Sequence, residues 1–179
     1  MDSNTVDPLA GGLSHADRLV LAWHPLAALP EAAELAEANR HAAALLVLLG
    51  NLDEPPAPLD ESPQLAAHLH RLDQKLDLLL DLMGQWLNRE LALPAPQPLR
   101  LGLRGVVWQA QLPAGPGRVT VYLRAGLPTA LELPALLLPL GDGNVLAEFH
   151  GLDPAVTDGL ERYLFRCHRR AVAQARRPA

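Results

Sequence analysis

Residues 63–98 read PQLAAHLHRLDQKLDLLLDLMGQWLNRELALPAPQP. Within them Leu65, Leu69, Leu72, Leu76, Leu79, Met83 and Trp86 are separated alternately by four and three residues. That heptad spacing lays apolar side chains along one face of a helix. Ser62-Pro63 supplies a helix start, with serine as cap and proline in the first turn. The run Pro94-Ala95-Pro96-Gln97-Pro98 stops the pattern, because proline lacks the amide that a helix interior needs. The spacing predicts a helix over about 63–91. Its apolar stripe has to be covered by another helix, from this chain or from a copy of it. Leu78, Leu80, Leu82 and Leu87 widen the face in its second half beyond the narrow seam of a two-stranded coil, which favours several neighbours.

Upstream, Asn51–Pro63 holds four prolines and four acids and reads as a loop. Before it, a helix is expected over about 31–50. Leu35, Ala38, Ala42, Leu45 and Leu49 share its inner face, and Glu31, Glu34 and Glu37 gather near its start, where the helix dipole favours anions. Arg18–Trp23 reads as a short strand ending before Pro25. The two helices, joined by a loop, have two ways to cover the seam: an intramolecular hairpin, or assembly into a dimer or tetramer. The sequence leaves both open, and the breadth of the face favours assembly.

Downstream the period shortens from helix to strand. Arg104–Gln111, Arg118–Arg124, Ala130–Leu138 and Asn144–Phe149 are short β-type runs separated by Gly/Pro turns, the pattern of a small antiparallel barrel or sandwich. A closing helix over about 153–175 carries Val156, Leu160, Leu164 (or Tyr163) and Cys167 on one face. Arg162, Arg166, Arg169, Arg170, Arg176 and Arg177 form its basic side. The expected class is therefore α+β, with a helical region over 1–94 followed by a barrel and C-terminal helix over 95–179. Charge supports a boundary near 94–98: residues 1–94 carry a net −9 and residues 95–179 a net +4.

Composition narrows the function. At 179 residues with 49% hydrophobic but only 4% aromatic content, the core must be aliphatic. The single Cys167 rules out an internal disulfide and a cysteine-based zinc site. No secretory signal is visible at Met1-Asp2-Ser3-Asn4, and no apolar run reaches membrane-spanning length, so a cytoplasmic protein without a membrane partner is expected. His68 and His70, two apart on a helix, face different ways and cannot share a metal. No metal, nucleotide-loop or nucleophile-elbow motif appears, and no cofactor or enzymatic activity is expected. Nucleic acid is disfavoured by the overall acidity and by the lack of aromatic residues among the arginines.

Phe149-His150-Gly151-Leu152 followed by Leu160-Glu161-Arg162-Tyr163-Leu164-Phe165-Arg166 resembles the last strand and closing helix of the PilZ domain, over roughly residues 97–175. The Lys75–Leu87 stretch is similar to the heptad helix that precedes some atypical PilZ domains and assembles them into tetramers. The resemblance implies a PilZ-type barrel in a bacterial protein. It also implies a regulatory role in cyclic di-GMP signalling, where such barrels couple the messenger to outputs such as motility, adhesion and virulence.

In that family an RxxxR motif before the barrel and a [D/N]xSxxG motif on an early strand hold the nucleotide, the arginines clamping guanine and phosphate with their planar forks. The segment matching the second motif is Arg100-Leu101-Gly102-Leu103-Arg104-Gly105. Only Gly105 fits, since Arg100 stands at the Asp/Asn position and Gly102 at the serine position. Upstream, Arg89 faces Leu93 where a second arginine belongs. The expectation is an adaptor that associates with itself through the heptad helix, meets an unidentified protein partner, and does not bind cyclic di-GMP in the usual mode. The alternatives are a receptor using Arg100, Arg104, Gly105 and Arg166 in a non-standard way, and a purely structural coiled-coil module.

Overall fold

The computed structural model describes residues 8–9, 12–53, 63–90, 93–124, 129–140 and 143–175. The Ser62 cap, most of the Asn51–Pro63 loop, the Ala125–Pro128 turn, Gly141-Asp142, and Arg176 with Arg177 lie outside them, as do the side chains of Leu87 and Arg89. In chain order the elements are β1 (Ser14–Pro25), α1 (Ala32–Asp53), α2 (Pro63–Glu90), β2 (Gln97–Gly102), β3 (Gly105–Gln109), β4 (Gly115–Tyr122), β5 (Leu131–Pro139), β6 (Asn144–Phe149) and α3 (Pro154–Ala175).

The six strands close into an antiparallel barrel in the order β1-β2-β3-β6-β5-β4. Closure removes the unpaired edges that an open sheet would expose. The barrel is lined by alternate residues of each strand. On β5 these are Leu131, Leu133, Ala135 and Leu137, and on β4 they are Val119 and Val121, all almost completely buried. Each such valine or leucine contributes about 1.5–3 kcal/mol of burial energy. As the composition requires, the core is aliphatic, and Trp108 and Tyr163 are its buried aromatic members among the described residues.

Two expectations need correction. First, the barrel does not begin at residue 95. β1 runs for 12 residues and serves two neighbours, Ser14–Leu19 pairing with β2 and Val20–Pro25 with β4. The charge boundary near 94–98 therefore cuts through the barrel instead of beside it. Second, the proline-rich break runs directly into a strand. Pro98 opposes Arg18 of β1, while pairing with β3 starts only at Leu99, so Pro98 has a ladder on one side and its missing amide is tolerated. Of the two ways left open for covering the seam, the hairpin is not formed among the described residues. Instead α1 packs on α3 and on β5, with Ala42, Leu45, Leu46 and Leu49 buried.

α3 buries both options of its expected face, Val156, Leu160, Tyr163, Leu164 and Cys167. Asp153 caps it: its carboxylate accepts from the Val156 amide at 2.8 Å, and its carbonyl accepts from the Thr157 hydroxyl at 3.0 Å. Close approach of α1 to α3 depends on Gly159, where a Cβ would meet the Cβ and Cδ1 of Leu46 at 3.0 Å.

Candidate functional site

α2 makes no extended contact with any other described element. Leu65, Leu69, Leu72, Leu76, Leu79, Met83 and Trp86, the whole heptad seam, are exposed, from 38% at Leu69 to 61% at Trp86. Leu78 and Leu82 are exposed beside them, and Leu80 is half-buried against the margin of the core. Nine large apolar side chains thus stand in solvent on one 28-residue helix. Isolated surface leucines are ordinary, but a contiguous stripe of this kind marks an interaction surface.

The nucleotide-motif segment lies on the β2–β3 hairpin. Arg100 falls between buried Leu99 and Leu101, so alternation puts it on the outer wall of the barrel, in register with Ala16 of β1 and Val107 of β3. Arg104, in the turn, donates to Glu148 on β6 at 3.1 Å while remaining largely in solvent. Gly105 opens β3 against β6, where a Cβ would lie 2.5 Å from the Ala147 carbonyl oxygen. The one residue that fits the nucleotide motif therefore has a packing reason to be glycine. Hydrogen bonding from the Phe149 amide to the Arg104 carbonyl, 2.9 Å, ties the same turn to the end of β6.

Arg166 is placed elsewhere. It sits on α3 beside Gly50 of α1, at a groove of about 710 Å³ whose lining includes Arg162, Arg166, Arg169 and Arg170 but none of Arg100, Arg104 or Gly105. The hairpin thus gathers three of the four candidate nucleotide residues, and the fourth belongs to another surface.

Tyr163 donates its hydroxyl to the Leu123 carbonyl at 3.1 Å, linking α3 to the end of β4. Burial, with a smaller contribution from Cys167, holds its pKa above the ordinary tyrosine value. Tyr122 is raised as well, by burial first and by the charge of Glu132 second. Among the described residues no three His, Cys, Asp or Glu side chains gather as a metal site, and no helix is long and apolar enough to cross a membrane.

Sequence reasoning missed Asn39. Its amide joins α1 to the β6–α3 turn, donating to the Gly151 carbonyl at 2.7 Å and accepting from the Asp153 amide at 3.2 Å. A polar residue between Ala38 and Ala42 on an otherwise apolar face was the available signal.

Residues 45–177 match the family model described as "Atypical PilZ domain, cyclic di-GMP receptor". That match starts within α1, so β1 falls outside it although β1 is part of the barrel. Among solved structures, the chain is similar to a protein of Xanthomonas campestris, with 29% identity, a TM-score of 0.66, and coverage of 91% of this chain and 92% of that one. That structure is described as a pathogenic protein with a new tetrameric PilZ domain self-assembled via an unusual helical bundle. No curated protein matches the chain.

Proposed function

The chain belongs to the atypical PilZ family, and from that premise we propose that it is a regulatory adaptor of cyclic di-GMP signalling that assembles with copies of itself through α2. The observation that carries the reading is the uncovered seam from Leu65 to Trp86. A helix that, Leu80 apart, leaves its apolar face uncovered by the other described elements gains its stability from neighbours outside them. Identical helices satisfy that need symmetrically. The tetrameric helical bundle of the Xanthomonas campestris protein supports four copies as the stoichiometry, and so does the second half of α2, where Leu78 and Leu82 add to the exposed face.

The adaptor part of the reading is supported by the altered motif. Arg100 and Gly102 occupy positions where the family's nucleotide site uses an acid or amide and a hydroxyl, Arg104 is paired with Glu148, and Gly105 is accounted for by its contact with β6. In this reading the barrel acts as a rigid platform and the partner is another protein.

The matched family's description as a cyclic di-GMP receptor favours a second reading, in which the hairpin arginines hold the nucleotide differently. Titration calorimetry separates the two. No heat with cyclic di-GMP is the adaptor outcome, whereas micromolar binding lost in Arg100→Ala or Arg104→Ala establishes the receptor. Self-association is tested by light scattering on the full chain. Leu72→Asp with Leu79→Asp should convert an assembly to a monomer, because each carboxylate would be buried unpaired in an apolar interface. A wild-type chain that is already monomeric at working concentrations would refute it.

A further inference from the structure

The groove between α1 and α3 is long, shallow and basic. Along α3 it is lined by Ala155, Gly159, Arg162, Arg166, Arg169 and Ala173, positions separated alternately by four and three residues. This is the spacing of one helix face; α1 meets it at Gly159 and Arg166 through Leu46 and Gly50, and the groove is the open margin of that contact. From Ala155 to Ala173 the stripe is about 27 Å long at the α-helical rise. A volume of about 710 Å³ drawn out over that length leaves a trough, not a pocket that encloses a compact ligand. Its α1 wall supplies Leu46, Val47 and Gly50, with Val47 exposed. Among the described residues the lining holds four arginines and no acid.

We infer that this groove is the docking surface for an acidic, partly apolar helix of a partner protein. The inference rests on the adaptor reading and specifies the chemistry of the partner. Gly159 is filled by Leu46 of α1, but the small Ala155 and Ala173 let a helix backbone come close at the two ends of the stripe, while the arginines between them present planar forks suited to carboxylates. Arg162 and Arg169 are exposed, so they are available at the rim. Arg166 is half-buried beside Gly50 and sets the floor. A segment with carboxylates at matching four-and-three spacing, and alanine or leucine between them, fits both the charge and the length.

The test uses the full-length chain and a fluorescein-labelled model peptide of about five helical turns, built from alanine, leucine and glutamate with the glutamates at alternating four-and-three spacing. Anisotropy should rise on addition of the protein and weaken as salt is added. Arg162→Glu with Arg169→Glu should reduce affinity at least about tenfold while leaving the mass of the assembly and the circular dichroism spectrum unchanged. The single Arg166→Gln variant, which keeps bulk at the floor, should weaken binding in the same direction. Equal binding of a peptide with glutamine in place of glutamate would overturn the inference, as would full affinity in the double variant. If cyclic di-GMP displaces the peptide and itself fails to bind the double variant, the groove is a small-anion site and the inference is wrong. If the double variant loses self-association although α2 is intact, the occupant is a second copy and a foreign helix is excluded. An assembly that survives Leu72→Asp with Leu79→Asp while the peptide still binds would sink the proposed self-association through α2 alone.

Discussion

The Asn39 side chain of α1 donates to the Gly151 carbonyl across 2.7 Å, at a residue held with a φ of 67°. Gly151 turns the chain from β6 into α3, and the left-handed conformation there suits glycine alone among residues with so little space; a Cβ would touch both Leu35 methyls at 3.0 Å. The Asn39 carbonyl oxygen also accepts from the Asp153 amide. One buried amide thereby fixes both sides of the turn and seats α1 on the start of α3.

Asn39→Ala leaves the Gly151 carbonyl and the Asp153 amide without these partners in a largely buried setting. The expected loss is about 2 kcal/mol of unfolding free energy. In a chain of this size that corresponds to a fall in melting temperature of roughly 4–8 °C. Asn39→Asp should cost at least as much, because a carboxylate retains the acceptor for Asp153 but brings a like-charge face to the Gly151 carbonyl. Thermal unfolding followed by circular dichroism, run on both variants, checks the order; a change below about 0.5 kcal/mol in both would show that the turn holds without the clamp.

Gly117 on β4 lies under Trp23 of β1, and a Cβ there would come within 2.2 Å of the indole Cζ2. Gly117→Ala must therefore displace the ring, at a cost of about 1–3 kcal/mol. Trp23→Leu removes the atoms in the way. The double variant should be more stable than the sum of the two single losses implies, with a coupling energy of at least about 1 kcal/mol in a denaturant double-mutant cycle. Simple additivity would mean that the barrel wall, and not the indole, makes room for the methyl group.

How much of this was readable in the sequence follows from where each signal is local. The seam of α2 and the Val156, Leu160, Leu164 and Cys167 face of α3 are periodicities within one element, and both helices fall where the spacing predicts them. β4, β5 and β6 are bounded by Gly/Pro turns and are equally plain. β2 was hidden because Pro96 and Pro98 read as a break, and only the one-sided pairing of Pro98 makes it a strand. The part β1 plays could not be read locally, since its partners β2 and β4 begin more than seventy residues later. Gly105 shows the opposite error: a motif glycine invites a ligand explanation, while the nearby Ala147 carbonyl supplies a steric one. The spacing of Arg162, Arg166 and Arg169 puts them on one face of α3, but the contact of that face with Gly50 of α1 is tertiary and has no local signal.

Stability should fall at high pH through Tyr163. Its pKa is raised in the folded state, by burial first and by Cys167 second, above the ordinary value of 10.0. The neutral phenol is thus favoured by folding. Its contribution is fully present below pH about 10, where both states are protonated, and declines as the unfolded chain ionises above that point while the folded chain does not. The decline reaches about 1.4 kcal/mol for each pH unit at most. Urea unfolding at pH 8 and at pH 11 should show a smaller difference for Tyr163→Phe than for the wild type, although the variant is weaker at pH 8 for want of the hydrogen bond to Leu123. An identical pH dependence in the two proteins would place the alkaline loss elsewhere.

The two halves of α2 should respond differently to polar substitution. With Leu65 at a d position of the heptad, the seam alternates a and d to Trp86, Leu82 falls at g and Leu78 at c. Both are exposed, and a two-stranded coil would leave both outside its interface. In a four-helix assembly the flanks are enclosed too, so these two leucines would lie between neighbouring helices. Leu78→Gln with Leu82→Gln keeps the seam intact and makes the flank polar. The expected result in sedimentation equilibrium is a lower stoichiometry, four copies falling to two, instead of the monomer expected from Leu72→Asp with Leu79→Asp. At the opposite end, His68 is the g residue and Arg71 the c residue, both polar and exposed, so His68→Gln with Arg71→Gln should leave the mass unchanged. A tetramer that survives the Leu78/Leu82 exchange would mean that the seam alone holds four helices, and the broad second half of α2 would then need a different occupant.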